Sequence, residues 1–183
     1  MPWHYLWIIS QIYCAFPCHA VDKAMKPHLT ASVTVYNRLM ANSFQLFTGQ
    51  SILGAANAGS LNDQALAQAM FDAPQAIVSH GIGEDPIFRY ANAQALKLWE
   101  MDWDNFTRLP SRLSAEAAGD IQSDRDTLLK TALEKGWVDN YTGVRISSAG
   151  QRFDIRNTVL WNVVDDAEIR HGQAAFIRDW RFL

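Results

Sequence analysis

The chain has 183 residues, 49% of them hydrophobic and 19% charged, with a formal net charge of -3. That balance describes a folded protein whose core is large enough to need neither disulfide nor metal, and it excludes an extended disordered chain. No run of basic residues is present, so the basic face that a phosphate backbone requires is missing and nucleic acid is not expected as a partner.

Residues 1–24, MPWHYLWIISQIYCAFPCHAVDKA, differ in character from the rest of the chain. Positions 3–16 form an almost uncharged apolar run, short for a bilayer span, so no stable membrane span is expected. Small residues near Ala20 suit signal cleavage, but no Lys or Arg precedes the run, as a secretory n-region requires. The segment reads as a dispensable or non-native extension with initiation at Met25. Its alternatives are a signal peptide, which would export the protein, and a membrane-surface or partner-binding segment. Both cysteines, Cys14 and Cys18, lie here beside His19. No second Cys pair occurs at finger-like spacing, so no metal site is expected. A main domain without cysteine fits a cytoplasmic protein.

Residues 25–73 read as flanking helices. Val33, Tyr36, Met40, Phe44 and Phe47 recur at three- and four-residue steps, which is one face of an amphipathic helix over 32–47. Gly49 and the small residues 54–60 break it. A shorter helix over 61–71 comes next, with Leu66, Ala69 and Met70 inward and Asn62 or Asp63 as its N-cap.

Residues 74–183 read as the main domain. Strands over 76–80 and 86–91 flank the turn residues Gly81, Gly83 and Glu84-Asp85-Pro86. Asn92 stands where a helix N-cap belongs, ahead of Ala95, Leu96 and Trp99. Asp102 caps a further turn holding Trp103 and Phe106. The stretch 114–135 is a longer helix, with Ile121, Leu128, Leu129, Ala132 and Leu133 inward and Gly136 as C-cap. Strict alternation over 137–147 places Val138, Asn140, Thr142, Val144 and Ile146 on one face. Over 152–164 it groups Phe153, Ile155, Asn157, Val159, Trp161 and Val163. A closing strand spans 171–180. Two strands, several helices and three antiparallel strands predict an α+β fold: a five-stranded sheet with helices on one face, preceded by the N-terminal helices.

That order, with an Asn opening the helix after the second strand, resembles the PAS domain. The words SHGIGEDPIFRYANAQALKLWEMDWDNFTRLPSRLSAE, NYTGVRISSAGQRFDI, TVLWNVVD and HGQAA go further and resemble the bacterial MEKHLA family, a PAS-related domain. A relative of it ends the plant class III homeodomain–leucine zipper proteins. The plant hexapeptide that names the family is not among these words. The resemblance implies a PAS-like fold and a regulatory or sensing role, and it brings no catalytic mechanism with it.

A flavin–cysteine adduct, used by one PAS subgroup, needs a thiol in the helical region. None lies between His19 and Leu183, so that photochemistry is excluded and the cofactor, if any, is unknown. Haem through His80 or His171 is not expected. Ser79 and His80 are neighbours on a strand and point to opposite faces, so they make no nucleophile–base pair. No Gly-x-Ser-x-Gly, phosphate-cradling loop or metal-binding helix motif occurs, and no catalytic residue is assigned.

The resemblance implies a small-molecule pocket between the concave sheet face and the short helices. Its candidate lining is Phe88, Tyr90, Trp99, Asn140, Asn157 and Trp161. Asn157 carries most weight, because it interrupts an apolar face and a buried unpartnered amide costs about 1–3 kcal/mol. The alternative is that backbone or water satisfies it and the tryptophans are core. Arg145, Arg152 and Arg156 fall on the opposite face with Asp139 and Asp154, either as cross-strand ion pairs on a solvated sheet or as a partner or anion surface. Arg112, in LPSRL, is an outlying anion contact. Two readings result. One is a sensor that binds a small ligand and signals in trans, through a homodimer or a protein partner, with the helix over 33–47 as output. The other is a ligand-free interaction module. A small enzyme is a more remote third.

Overall fold

The computed structural model describes residues 26–55, 58–116 and 119–183, without the side chains at 120–125 and 128. The readings made for residues 1–24, including Cys14, Cys18 and His19, lie outside the described residues.

Helix α1 (Ala31–Thr48) buries Tyr36, Met40 and Phe44 and stops at Gly49, whose φ of 71° supplies a left-handed cap. Helix α2 (Asp63–Phe71) begins at Asn62, which accepts a bond from the Ala65 amide. Strands β1 (Ala76–His80) and β2 (Phe88–Ala91) pair antiparallel. Asn92 then does two jobs. Its Oδ1 accepts from the Ala95 amide at 3.0 Å, capping α3 (Ala93–Trp99), and from the Ile77 amide at 2.9 Å. Its Nδ2 donates to the carbonyls of Ala73 and Gln75, so the same side chain fixes the chain entering β1. Asp102 caps α4 (Trp103–Phe106) by accepting from the Asn105 amide at 2.8 Å. A 3-10 turn (Ser111–Ser114) leads to α5 (Gly119–Lys135), and then come β3 (Trp137–Ile146), β4 (Arg152–Val164) and β5 (Arg170–Phe182).

The five strands lie in the order β2-β1-β5-β4-β3, all neighbours antiparallel. Helices α3, α4 and α5 cover one face through Leu98, Trp99, Phe106 and Ala132. The flanking helices α1 and α2 cover the other through Tyr36, Met40, Phe44, Leu66 and Met70. A strand buried on both faces reads as a continuous apolar run rather than an alternation, and β1 is buried at every position. In α5, Leu129 packs inward and Ala132 is fully buried, whereas Leu133, expected inward, is 43% exposed. Ile121 and Leu128 lie outside the described side chains.

Three of the register shifts in the sheet break the strict alternation next to helices α3 to α5. In β2, Ser79 pairs with Tyr90 and His80 with Phe88, so Arg89 is an extra residue. In β3, Asp139 and Asn140 together face Val159, between the pairs Val138↔Leu160 and Tyr141↔Thr158. In β4, Arg156 and Asn157 together face Thr142, between Tyr141↔Thr158 and Gly143↔Ile155. Each inserted residue reverses the face of everything beyond it.

Candidate functional site

These three bulges decide which side chains meet between the sheet and helices α3 to α5. A small cavity of about 50 Å³ lies there. Its floor is sheet: Val78, Tyr141, Ile155, Leu160 and Ile177. Its roof includes Trp99 from α3, Ser111 and Ser114 from the 3-10 turn, and Leu129 from α5. The Trp99 indole donates to the Ser114 carbonyl at 3.3 Å, and Ser114 Oγ donates to Ser111 O at 2.7 Å, which pins the turn over the cavity. Gln173 Nε2 donates to Leu129 O at 3.1 Å and to Asn162 Oδ1 at 3.0 Å, while Asn162 Nδ2 donates to Leu133 O at 3.1 Å. This amide pair on β5 and β4 holds α5 against the sheet.

The candidate lining residues divide between three environments. Phe88 and Trp99 lie on the cavity wall. Tyr90 and Trp161 are fully buried, but in the core under α1 and α2. The Trp161 indole donates to Met40 O at 3.3 Å and packs edge-on against Phe44, so it cannot reach the cavity through the sheet. Asn140 and Asn157 are exposed. They occupy the bulges themselves, with φ of 56° and 47°, and Asn157 Nδ2 donates to the Asp179 carboxylate at the surface. The amide that breaks the apolar pattern of β4 therefore marks the place where that face ends.

The arginines are redistributed for the same reason. Arg152 and Arg156 are exposed and paired, with Glu116 and Asp154 respectively, each at 2.8 Å. Arg145, grouped with them by alternation, is only 7% exposed and lines the cavity. The bulge at Asn140 turns Tyr141, Gly143 and Arg145 inward together. Arg145 Nη2 donates to Tyr141 Oη at 2.6 Å and Nη1 donates to Val144 O at 2.8 Å. Among the described residues no carboxylate pairs with it. Sequence reasoning missed Arg145, Gln173 and Asn162 as cavity-side residues. The available signal was Asn itself, which tolerates the left-handed region a bulge requires better than other side chains do.

His80 and His171, the two histidines weighed as haem ligands, have defined partners. His80 lines the cavity with its Nδ1–H donating to Gly81 O at 2.8 Å. His171 Nε2 lies 2.8 Å from Asp165 Oδ2 at the surface, and this bond holds the Asp165 carboxyl below its usual range. Arg112 is ion-paired with Asp85 at 3.1 Å on the exposed rim. No group of His, Cys, Asp and Glu suited to a metal ion occurs among the described residues, and no helix among them is long and apolar enough to cross a membrane.

Among solved structures, the fold is similar to the PAS domain of a protein from Colwellia psychrerythraea. The TM-score is 0.55 at 14% identity, over 63% of this chain and 94% of that one. It is similar also to an RNA-binding Light-Oxygen-Voltage receptor, at TM-score 0.54 and 20% identity, over 63% of this chain and 32% of that one. At such identities the likeness establishes the PAS fold alone. In sequence the chain is similar to the Homeobox-leucine zipper protein HOX29 of Oryza sativa subsp. indica, 26% identical over 91% of this chain and 19% of that protein. It is likewise similar to the Homeobox-leucine zipper protein ATHB-9 of Arabidopsis thaliana, 25% identical over 80% of this chain and 17% of that protein. The chain thus spans about a fifth of the length of these plant relatives. The MEKHLA domain model matches residues 34–182, taking in most of α1, all of α2 and the whole sheet, and the chain belongs to the MEKHLA domain family.

Proposed function

We propose that this PAS-fold domain is a sensor that binds a small molecule in the cavity between the sheet and helices α3 to α5, and passes the state of that cavity to a protein partner or a second copy. The observation that carries the reading is the cavity itself. It is lined by the aromatic walls of Phe88 and Trp99 and by the polar side chains of Tyr141, Arg145 and Gln173. Ligand sites take this form, apolar with a few placed polar groups. A volume of about 50 Å³ is well below the roughly 300–1,000 Å³ typical of sites for drug-sized ligands. The size favours a molecule of a few heavy atoms over a flavin or a haem.

Output by way of α1 has a physical route. Ser79 Oγ donates to Gln173 O at 2.8 Å, so its single proton is committed and Tyr36 must donate to Ser79 at 2.7 Å. The residue whose side chain lines the cavity is thereby joined through the sheet to the flanking helix. The Arg89 guanidinium, 3.7 Å over the Tyr36 ring, seals the contact. No residue is assigned to catalysis in this reading, and the domain acts from the cytoplasm.

Native mass spectrometry of protein purified from its own source, with an absorption spectrum, tests the proposal. A bound small mass is the expected result. An empty dimer would replace the sensor with a ligand-free interaction module.

A further inference from the structure

We infer that the cavity ligand is a short aliphatic carboxylate, of about two to four carbons, whose carboxylate is held by Arg145 and Tyr141; this rests on the ligand-binding reading above. Arg145 is 7% exposed, permanently charged, and without a carboxylate partner among the described residues. An isolated buried charge is strongly unfavourable, so structures that keep one supply a counter-charge. Two exposed arginines on the same strand pair do have theirs: Arg152 has Glu116 and Arg156 has Asp154. The buried one faces the cavity instead.

The donor geometry fits a planar anion. Arg145 has five N–H groups and gives one to Val144 O and one to Tyr141 Oη. Tyr141, accepting from Arg145, keeps its own hydroxyl proton for another acceptor. Guanidinium and phenol together therefore offer adjacent donors of the kind that bind carboxylates in bidentate fashion. Gly143 makes room for this pair. A Cβ there would stand 2.5 Å from Tyr141 Oη and 3.1 Å from Arg145 Nη1. Beside His80, Ser111, Ser114 and Gln173 the rest of the wall is apolar, with Val78, Phe88, Trp99, Leu160 and Ile177, and this part suits a short alkyl tail but not a fully hydrated phosphate or sulfate. The volume limits the tail to a few atoms.

The test uses the full chain and sodium propionate, with sodium chloride at equal ionic strength, inorganic phosphate and propionamide as comparisons. Melting temperature and NMR of carboxyl-labelled propionate report binding. Propionate is expected to raise the melting temperature and to show a bound resonance, while propionamide, chloride and phosphate do not. Arg145→Gln and Tyr141→Phe are each expected to weaken propionate binding about tenfold or more, the loss of one charge-assisted bond. Arg145→Met, which removes the uncompensated charge, should melt no lower than the wild type without ligand, so a folded variant remains for the comparison. If propionamide binds as well as propionate, or if Arg145→Gln and Arg145→Met keep the wild-type affinity, the carboxylate assignment falls while the ligand reading stands. If neither acetate, propionate, butyrate nor propionamide binds and the purified protein carries no small mass, both fall together.

Discussion

Asn140 on β3 and Asn157 on β4 flank the Tyr141↔Thr158 pair, and both hold left-handed backbone, at φ 56° and 47°. Between them they turn Arg145 into the cavity and Trp161 away from it. Each bulge inserts one residue, and one residue is enough to exchange the two faces of a strand.

Substitutions at Asn157 test that pair. Asn157→Val places a β-branched side chain in the left-handed region and should cost about 1–2 kcal/mol in urea unfolding, whereas Asn157→Gly should cost almost nothing. Because Asn157 is exposed, the propionate response of Asn157→Gly should equal that of the wild type. A changed response would mean that the Asn157 side chain, and not only the backbone of the β4 bulge, acts on the cavity.

Gly172 on β5 packs under α1. A Cβ there would run into the His80 carbonyl oxygen and lie 2.6 Å from Tyr36 Oη. The first of these atoms is backbone and cannot step aside. Gly172→Ala should therefore destabilise the protein by about 3 kcal/mol, in the upper range for overpacked cores. Thermal or urea denaturation measures it, and a loss below about 1 kcal/mol would contradict so close an approach of β5 to β1 and α1.

Tyr36→Phe removes the bond to Ser79 and leaves the ring beneath Arg89. The expected cost is about 1 kcal/mol, since Ser79 still has Gln173 O as its acceptor. The effect should concentrate in α1, visible as faster amide exchange there with α3 and α5 unchanged. Burial raises the Tyr36 pKa against the lowering effects of Ser79 and Arg89, so the phenol stays neutral throughout and the exchange difference should not depend on pH near neutrality.

His28 gives the pH dependence. Its ring stacks on Phe71 at 3.7 Å, and its Nε2–H donates to Gln68 at 3.3 Å. Burial pulls its pKa below the usual 6.5, with the Gln68 bond opposing, Lys26 adding to the fall and Asp72 opposing it. Below pH 6.5 the unfolded chain binds a proton that the folded protein refuses. The contribution of His28 is complete above that value and is lost as pH falls toward the depressed folded pKa. His28→Phe should flatten this limb. Urea unfolding of both proteins at about pH 7.5 and about pH 5.5 measures the difference, which should be larger for the wild type.

Much of this molecule was legible in its sequence because the deciding signals are local. The three- and four-residue steps of Val33, Tyr36, Met40, Phe44 and Phe47 gave α1, and Asn62, Asn92 and Asp102 each cap a helix where a side-chain oxygen precedes free amides. The order of elements gave the PAS-type sheet. Phe88 and Trp99 stand on the cavity wall because the hairpin and the Asn92-capped helix place them there.

What only the tertiary structure decided is which side of the sheet each strand residue faces. Alternation counts residues one by one and cannot see a bulge, which depends on the register between β3 and β4 rather than on either strand alone. That register moved Asn140 and Asn157 to the surface, Trp161 under α1, and Arg145 together with Tyr141 to the cavity side. Long-range packing also set α1 and α2 against the second face, where Tyr36 meets Ser79, since a helix's partner is not chosen by its own period. The sequence by itself determined the elements and their order; the pairing of strands decided which charge is buried.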